Sequence, residues 1–433
     1  MTKNNTQQTL LATALACALF SLSPAVSAGG ILMYEVGTAD VGLAAAGYAA
    51  RAQDASTVLT NPAGMTRLSG NQTTLGAQVL HGDVGFSIGD GTSAGLGNKS
   101  GGNPVGWFPG GGAFYTHSLS PDLKLGFGVT GNFGSATKYE DGWVGRYRAQ
   151  EGKLLGVSLL PSVATRINDK LSLGASLNLM YGMLDNKVAV NNIIGSDASL
   201  TLKDNSWGAG ANLGLMYEVD AGRRFGLTYT SPVKLNFKAQ AQWSDLAPGV
   251  RALLNARGLL DTQVDLGVTV PQGLMASTYQ QIAPDWALLG SVGWQQWSKF
   301  GEAEIGIDSN NPTALSTQLP FRDTWHLSVG TQYKWSDAWL LNAGIGYDSG
   351  FQRNGQIALA LPVNATWRFG VGGQKEQSSS FNWGWSLEYT PQGTLRSNAQ
   401  GGVPVVLGGR GSVIGEYKKV NFIFLAMNFN WKS

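Results

Sequence analysis

The sequence predicts an all-β protein, a 14-stranded antiparallel transmembrane β-barrel with an N-terminal hatch (plug) in its lumen. Three observations support this prediction: apolar and polar residues alternate over long segments, aromatic residues stand at the ends of the apolar faces, and short connections alternate with long ones. In residues 171–182 every odd position is apolar, and the even positions are small or polar except Met180. A period of two places these sets on opposite faces of a strand. At about 3.3 Å per residue, such a strand can cross a bilayer at a tilt.

The composition fits a wall of alternating strands better than a set of soluble domains. A chain of 433 residues would ordinarily form two or three soluble domains. Its charged fraction is only 13%, about half the usual share, whereas Gly (60) and Trp (14) are abundant. The mean hydropathy is −0.05, and no run of about 18 apolar residues follows the N-terminal segment, which argues against membrane-spanning helices. The net charge of +2 is too small to indicate a nucleic-acid partner.

Residues 1–28 are predicted to be an export signal peptide. Lys3 supplies a positive charge, residues 10–22 form an apolar core, and a small-residue region ends with a cleavage site after Ser27 or Ala28. The single cysteine, Cys17, lies inside this segment. A lipoprotein signal at Cys17 is the weaker alternative, because a leucine stands two residues before it, where a small residue is preferred. The mature chain is therefore expected to form no disulfides.

Alternating strands recur from near Gln72 to near Trp431. Aromatic pairs such as Trp207 and Tyr217 flank their apolar faces, which is typical of the girdles at the two membrane interfaces. Turn residues in the short connections and polar residues in the long ones separate the strands. The short turns lie near residues 120–122, 168–170, 220–222, 283–285 and 336–337, and the long segments near 82–110, 132–152, 185–204, 238–270, 300–320, 348–363 and 393–415.

Counting strands between these connections gives about 14, and an even count places both ends of the wall on the same side of the membrane. A secreted β-sandwich or β-solenoid is the alternative, since its strands also alternate. Strands of about twelve residues with aromatic residues at both ends are longer than the five or six residues usual in soluble sheets. The barrel is therefore favoured.

Residues 29–70, which precede the first strand, do not alternate and are rich in Gly and Ala, with short helical stretches such as 41–52. The segment could be a periplasmic tail, a linker or a plug. It is too apolar for a free tail, and a lumen of 14 strands is too wide for side chains alone to fill. We therefore predict a hatch at 29–70 and a barrel at 71–433.

Several motifs carry a resemblance to a known family. Asn61-Pro62-Ala63-Gly64-Met65 follows a Gly/Ala-rich stretch at 40–47, and related pieces occur at 143–147, 159–164 and 167–174. Over the whole mature chain, the sequence resembles the FadL family of outer-membrane transporters for long-chain fatty acids and other hydrophobic compounds. The resemblance implies a hatch-gated passive channel with an apolar extracellular groove, a deeper site, and sideways release through a gap made by an inward kink of the third strand.

The resemblance assigns the hatch motif to Asn61, Pro62 and Ala63. The lateral gate falls on the predicted third strand, at about 123–134, where glycine permits a kink or bulge. Inward-facing glycine is common throughout the wall, so the same residues have an ordinary structural interpretation as well. The gate candidates are Gly126, Gly128, Gly131 and Gly134.

An extracellular groove is the implied site of first substrate binding. Residues 246–258 have helical spacing, with Pro248 in the first turn and Gly258 as the stop. This helix could line the groove or pack against neighbouring loops. Arg146 is the candidate for a substrate carboxylate, whereas inward cations such as Arg224 and Arg368 could balance lumenal acids such as Glu388. The substrate-binding candidates are Leu246, Val250, Leu253, Leu254, Ile193, Ile194 and Arg146.

No catalytic or metal-binding pattern stands out. Residues 85–89 match a nucleophile elbow but lack its strand–turn–helix context. The three histidines have no metal-ligand spacing, and no cofactor is predicted. We predict a monomeric, non-enzymatic protein of the outer membrane of a Gram-negative bacterium, in contact with lipid, lipopolysaccharide and a hydrophobic small molecule. A lipid hydrolase and a general water-filled porin are the alternatives, and the choice between fatty acid and aromatic hydrocarbon stays open.

Overall fold

The computed structural model describes residues 32–307, 309–313 and 315–433. The predicted signal peptide, Cys17 and the first residues of the predicted hatch lie outside the described residues. Within the described part, no helix has the length and apolar character needed to cross a membrane.

Fourteen strands form the wall, and each pairs antiparallel with the next. The last strand pairs with the first from Gln72 opposite Lys432 to Asp83 opposite Asn421, which closes the barrel and confirms the predicted fold. Three strands are each interrupted into two pieces. The strands are β1 (Gln72–Asp83), β2 (Gly106–Ser118), β3 (Leu123–Lys138), β4 (Glu151–Leu159 and Ser162–Arg166), β5 (Leu171–Val190), β6 (Ala198–Asp220), β7 (Arg223–Thr230 and Val233–Ser244), β8 (Gln263–Val270 and Gly273–Ala283), β9 (Trp286–Gln295), β10 (Thr324–Lys334), β11 (Trp339–Asp348), β12 (Thr366–Ser378), β13 (Phe381–Ala399) and β14 (Val413–Lys432).

The two faces of the wall follow the predicted alternation. On β5, Leu173 and Leu177 are exposed on the outer surface, whereas Ser172 and Ser176 are buried in the lumen. Large exposed aromatic residues such as Trp207 stand on the outer face. An apolar outer band with aromatic residues is the surface that a bilayer requires. The closed barrel also leaves no unpaired sheet edge in lipid.

The long connections are more structured than the sequence predicts. The segment 185–204 is mostly strand, since β5 and β6 continue as a hairpin whose tip is only 191–197. Its apolar residues keep the period of two, and Val188, Val190 and Leu200 are fully or almost fully buried. The prediction of a long loop was wrong here because the alternation continues beyond the membrane, where its apolar face packs against protein.

We call the loops at the end opposite the short turns the cap; in outer-membrane barrels this end is extracellular. The cap packs around its own aromatic core, in which the rings of Tyr139 and Trp143 stack at 3.7 Å and the hydroxyls of Tyr139 and Tyr417 are 2.7 Å apart. In the part of the cap that the structure describes, α2 (Pro248–Ala256) is accompanied by three single 3-10 turns and three short strands. These are Ala94–Leu96, Trp297–Lys299 and Val405–Leu407, and Phe86–Ile88, Glu302–Ile305 and Ser316–Gln318.

Residues 32–70 precede the wall and lie inside it as a hatch, most of whose residues are buried. The hatch contains two 3-10 turns, Val41–Leu43 and Pro62–Arg67, and the single-turn helix α1 (Thr57–Thr60). The helical stretch predicted over 41–52 is reduced to one turn, because Ala44 and Ala45 have φ values of 49° and 60°. Such left-handed positions end a right-handed helix.

Candidate functional site

Inward glycines of the wall make room for the hatch. Gly174 of β5 is paired with Gly214 of β6, and a β carbon at Gly174 would overlap the backbone of Pro62 and Ala63. Across the lumen, a β carbon at Gly344 would overlap the carbonyl of Leu43. A side chain at these positions would compete with the hatch for the same space, so the glycines form a seat. Its members are Gly76, Gly126, Gly174, Gly214, Gly226, Gly330, Gly344 and Gly370.

The predicted hatch motif lies on this seat. The side-chain oxygen of Asn61 accepts a hydrogen bond from the Ala63 amide at 3.1 Å and caps the 3-10 turn that Pro62 begins. The Asn61 amide group donates to the carbonyl of Ala49 at 2.7 Å and to that of Leu215 in β6 at 3.0 Å. One side chain therefore closes the hatch on itself and ties it to the wall.

A buried arginine organises the interior of the hatch. Arg51 contacts Asp40 at 3.1 Å and Asp54 at 2.9 Å. Burial alone would raise the pKa of Asp54, but Arg51 and hydrogen bonds from Ser56 outweigh it and hold that pKa below its usual range. Arg51 and Asp54 therefore stay ionised at neutral pH. Through its contacts with Asp40 and Asp54, Arg51 fixes the hatch segments that precede and follow it in the sequence.

A second arginine ties the hatch to the wall. Arg224 of β7 donates to the carbonyls of Ala50 and Arg51 at 2.7 and 2.5 Å. Its guanidinium lies 3.7 Å from the centre of the Tyr279 ring. The sequence places Arg224 on the inner face, as observed, but the partners that it contacts are hatch carbonyls and an aromatic ring.

A cluster of charged side chains joins the hatch to the opposite wall. Arg368 of β12 contacts Asp348 at 2.5 Å and Glu388 at 2.9 Å, and it also contacts Glu35 of the hatch. The pairing of Arg368 with Glu388 confirms the predicted lumenal charge balance. His326 of β10 extends the cluster, since its Nδ1 is 2.6 Å from Asp348.

The third strand is kinked, and its inward face changes partway along. Against β4, Thr130 is opposite Ser158 and Phe133 is opposite Gly156, so β3 has one extra residue. An extra residue forms a bulge and exchanges the two faces of the strand beyond it. Thr130 below the bulge and Phe133 above it are accordingly both buried.

Beside the kink, β2 and β3 are not paired with each other over one stretch, which we call the window. The two strands are paired from Ser118 opposite Lys124 up to Gly112 opposite Thr130. They then separate, and they meet again where the Lys138 amide donates to the carbonyl of Pro104 at 2.8 Å. The window is therefore bounded by residues 105–111 on one side and 131–137 on the other.

The first described residues of the hatch, 32–37, form a strap that contacts the window edge. The Met33 amide donates to the carbonyl of Asn132 at 2.9 Å, and Leu32 forms an isolated bridge with Phe133. Farther along, the Gln78 side chain of β1 bonds the carbonyl of Glu35 at 2.8 Å and the amide of Gly37 at 2.9 Å. The strap thus links the kinked strand β3 to β1, which lies on the other side of β2.

A cavity of about 100 Å³ lies beside the strap. Trp297 and Phe351 form part of its apolar side, with ring centres 5.2 Å apart. Rings continue toward the kink, since Trp297 is 5.3 Å from Phe300 and Phe300 is 6.3 Å from Phe133. The charged groups Glu35, Asp348 and Arg368 line another side, and the strap lines a third through Leu32, Met33 and Tyr34.

The four gate glycines occupy two different environments. Gly126 and Gly128 lie in the part of β3 that is paired with β2, where their β carbons would meet hatch residue Val58. Gly131 and Gly134 lie in the kink; a β carbon at Gly131 would meet no atom within 4 Å, and Gly134 has a φ of 139°. The first pair therefore packs against the hatch, and only the second pair lies in the kink.

The predicted groove residues are only partly accessible. The helix begins at Pro248 as predicted, but Val250 and Leu254 are buried, and Leu246 and Leu253 are half-buried. Ile193 and Ile194, in contrast, are 47% and 84% exposed. The apolar face of the helix therefore packs mainly against the cap, which is the alternative that the sequence left open.

Two further exposed apolar residues lie beside the predicted groove residues, and sequence reasoning did not single them out. Val406 and Leu407 are exposed beside Ile193, and the Asn191 side chain fixes the two loops by donating to the carbonyl of Val405 at 2.6 Å. An apolar triplet between Pro404 and Gly408 was the available signal. We call Ile193, Ile194, Val406 and Leu407 the outer patch.

The predicted carboxylate partner Arg146 is engaged within the cap. Its guanidinium contacts Asp197 at 2.6 Å and donates to the carbonyl of Leu96 at 2.8 Å. Tyr147 also contacts Asp197, at 2.5 Å. Arg146 therefore holds cap loops together in this structure. Among the described residues, no group of three or more His, Cys, Asp or Glu is placed to hold a metal ion.

Comparison with known proteins agrees with this architecture. The family described as outer membrane protein transport protein (OMPP1/FadL/TodX) matches residues 19–430. A long-chain fatty acid transport protein of Escherichia coli O6:H1 is 28% identical over 392 residues, which are 82% of this chain and 85% of that protein.

Solved structures share the fold. A Pseudomonas aeruginosa FadL homologue superposes with a TM-score of 0.78 at 18% identity, covering 93% of this chain and all of that one. The Pseudomonas putida toluene transporter TodX gives a TM-score of 0.62 at 15% identity, covering 95% and 100%. The chain described here therefore belongs to the OMPP1/FadL/TodX family of outer membrane transport proteins.

Proposed function

We propose that this protein is a passive, non-enzymatic channel that takes up hydrophobic molecules through the outer membrane. Family membership supports this role, as do the functions of relatives, which are long-chain fatty acid transport and toluene transport. We further propose that residues 29–70 act as the hatch, that residues 71–433 form the channel, and that the protein works as a monomer in contact with lipid and lipopolysaccharide.

In the proposed route, a hydrophobic molecule is captured at the outer patch, enters the cavity beside the strap, and leaves through the window into the membrane. The hydrogen bond from Met33 to Asn132 carries this proposal, because it attaches the hatch to the kinked strand at the window edge. Movement of the strap would change the cavity and the window together. Gly131 and Gly134 supply the kink, and Asn61, Pro62 and Ala63 hold the rest of the hatch in place.

Sideways release suits an apolar cargo. Each methylene group transferred from water to hydrocarbon gains about 0.8 kcal/mol. A molecule released into the periplasm would lose that gain, whereas one released through a side window keeps it. A window between β2 and β3 in the side of the wall fits this requirement, whereas an open pore through the barrel would not.

The alternatives have less support. The Nε2 of His326 is 2.9 Å from the Ser328 hydroxyl, and its Nδ1 is 2.6 Å from Asp348. The order of the three side chains is that of a nucleophilic triad. Ser328 is buried, however, the residues that line the strap cavity do not include it, and Asp348 also serves Arg368. A general porin would need an open lumen, and the hatch occupies it.

The test is to lock the strap onto the window edge. Leu32 and Phe133 are cross-strand partners, a spacing that a disulfide can bridge, and the predicted mature chain has no cysteine of its own. We expect the Leu32→Cys/Phe133→Cys protein to take up a radiolabelled hydrophobic substrate only after reduction. Each single-cysteine variant is the control and should transport under both conditions. Equal uptake by the oxidised and reduced double variant would contradict strap gating.

A further inference from the structure

The cavity beside the strap carries more acidic than basic groups. Arg368 contacts Glu35, Asp348 and Glu388 together. Two further titratable side chains pack on this cluster: His326 lies 2.6 Å from Asp348, and the Tyr34 ring lies 5.4 Å from the Arg368 guanidinium and 4.7 Å from the His326 ring. Glu35, Asp348 and Arg368 line the cavity itself. Three carboxyl groups thus share one guanidinium and one imidazole.

We infer that this cavity accepts uncharged hydrophobic molecules and disfavours the carboxylate form of a fatty acid. This inference rests on the proposed function and narrows its substrate class. A ligand carboxylate would become a fourth acidic group around Arg368, whose guanidinium already contacts three. Carboxylates crowded around one site disfavour a further negative charge.

The rest of the cavity suits such a ligand. Its apolar side includes Met33, Trp297 and Phe351, and the rings of Phe300 and Phe133 continue from Trp297 to the kink. Aromatic faces and edges contact rings and alkyl chains without requiring charge. Neutral polar side chains are also present and could bond a hydroxyl or ester group. They include Gln295, Thr324, Asn364, Thr366, Thr390 and Gln392.

The other arginine candidates do not offset this imbalance. Arg146 lies in the cap and contacts Asp197 at 2.6 Å. Arg224 is committed to the hatch carbonyls of Ala50 and Arg51. Neither lines the cavity, so a carboxylate that reached the cavity would find Arg368 as its cationic partner.

The experiment compares two ligands of the same chain length, one with a neutral head group and one with a negatively charged head group. Dodecanol and dodecanoate, each brominated at the chain end, quench tryptophan emission on contact. The full-length protein is placed in nanodiscs at neutral pH, and subtraction of the Trp297→Phe protein isolates the signal of Trp297. We expect the alcohol to quench Trp297 at about tenfold lower concentration than the carboxylate, or lower still.

Variants test whether the acidic cluster causes the difference. Glu388→Gln combined with Glu35→Gln removes two of the three carboxyl groups around Arg368 while keeping side-chain shape. We expect this protein to bind the carboxylate about tenfold more tightly than the wild type does, with alcohol binding unchanged. Unchanged alcohol binding also shows that the variant is folded. Glu151→Gln, at an exposed glutamate that pairs with Lys138 outside the cavity, is the matched control and should change neither ligand.

The outcomes separate the inference from the proposed function. If the carboxylate binds at least as tightly as the alcohol, or if the double variant leaves the ratio unchanged, the inference is wrong and the uptake channel stands. If neither ligand quenches Trp297 and neither is transported by cells that make the protein, both proposals fail. Alcohol preference in the wild type that is lost in the double variant supports both.

Discussion

Gly214 of β6 faces Asn61 of the hatch so closely that a β carbon at Gly214 would overlap the side-chain oxygen of Asn61. The paired residue Gly174 stands in the same relation to the backbone of Ala63. The obstructing atoms at Gly174 are main-chain atoms, which cannot rotate away as the end of a flexible side chain can. The two glycines therefore form a notch that holds the hatch motif. Larger residues at these two positions of the wall would leave no room for it.

Filling this notch should loosen the hatch. We expect Gly174→Val to destabilise the seated hatch by about 1–3 kcal/mol, the usual cost of overpacking, and to raise ion conductance in planar bilayers. Gly290→Val is the matched control, because a β carbon at Gly290 would make only ordinary contacts, the nearest at 3.6 Å to Thr278. Equal conductance of the two variants would show that the notch does not hold the hatch.

The strands of the wall could be predicted from the sequence because the alternation that identifies each strand is a local pattern. Lipid on one side and the lumen on the other impose a period of two on each strand separately, so β5 could be identified from residues 171–182 alone. The same reasoning failed for residues 185–204, where Val188 and Leu200 keep the alternation but pack against the cap. Period alone does not say whether lipid or protein covers the apolar face.

The site was less predictable because it depends on contacts between distant segments. The role of a wall glycine such as Gly344 depends on Leu43, which lies opposite only after the barrel closes. The contact of Glu35 with Arg368 likewise joins the hatch to the twelfth strand. The motif Asn61-Pro62-Ala63 was recognised through the family resemblance, whereas its wall partner Leu215 could not be predicted from the sequence.

Removal of the Arg224 side chain should free one part of the hatch. In Arg224→Leu, the carbonyls of Ala50 and Arg51 lose their buried donors, which costs about 1–3 kcal/mol. We expect hydrogen exchange of the peptide around residues 47–54 to accelerate about tenfold or more. Arg223→Leu is the control, since Arg223 is exposed and pairs with Asp220. The anchor is refuted if both variants exchange at the wild-type rate.

The Arg51–Asp54 pair predicts acid sensitivity of the hatch. The pKa of Asp54 is lower in the folded protein than its ordinary value of about 3.9. A depressed pKa means that the pair contributes its full stabilisation above that ordinary value and loses it as the pH falls through the lower, folded value. Conductance should therefore stay constant from neutral pH down to about 4 and rise below it.

Asp54→Asn isolates this contribution from that of other acids. The variant should be leakier than the wild type at neutral pH, because Arg51 loses one of its two carboxylate partners. Its conductance should also rise less on acidification, since the amide that replaces the carboxyl group does not titrate. Identical pH profiles for wild type and variant would rule out the pair as the source of acid sensitivity.

The outer patch should set the affinity of capture and leave the rate of release unchanged. Ile194 and Val406 are 84% and 73% exposed, and a captured apolar molecule would cover them. Covering one such side chain contributes about 1.5–3 kcal/mol, so Ile194→Ser/Val406→Ser should raise the half-saturating substrate concentration about tenfold or more while the maximal uptake rate stays the same. Ile88→Ser, at a partly exposed cap isoleucine outside the patch, should leave both values unchanged. A fall in the maximal rate at constant half-saturation would place the defect after capture, at the strap or the window.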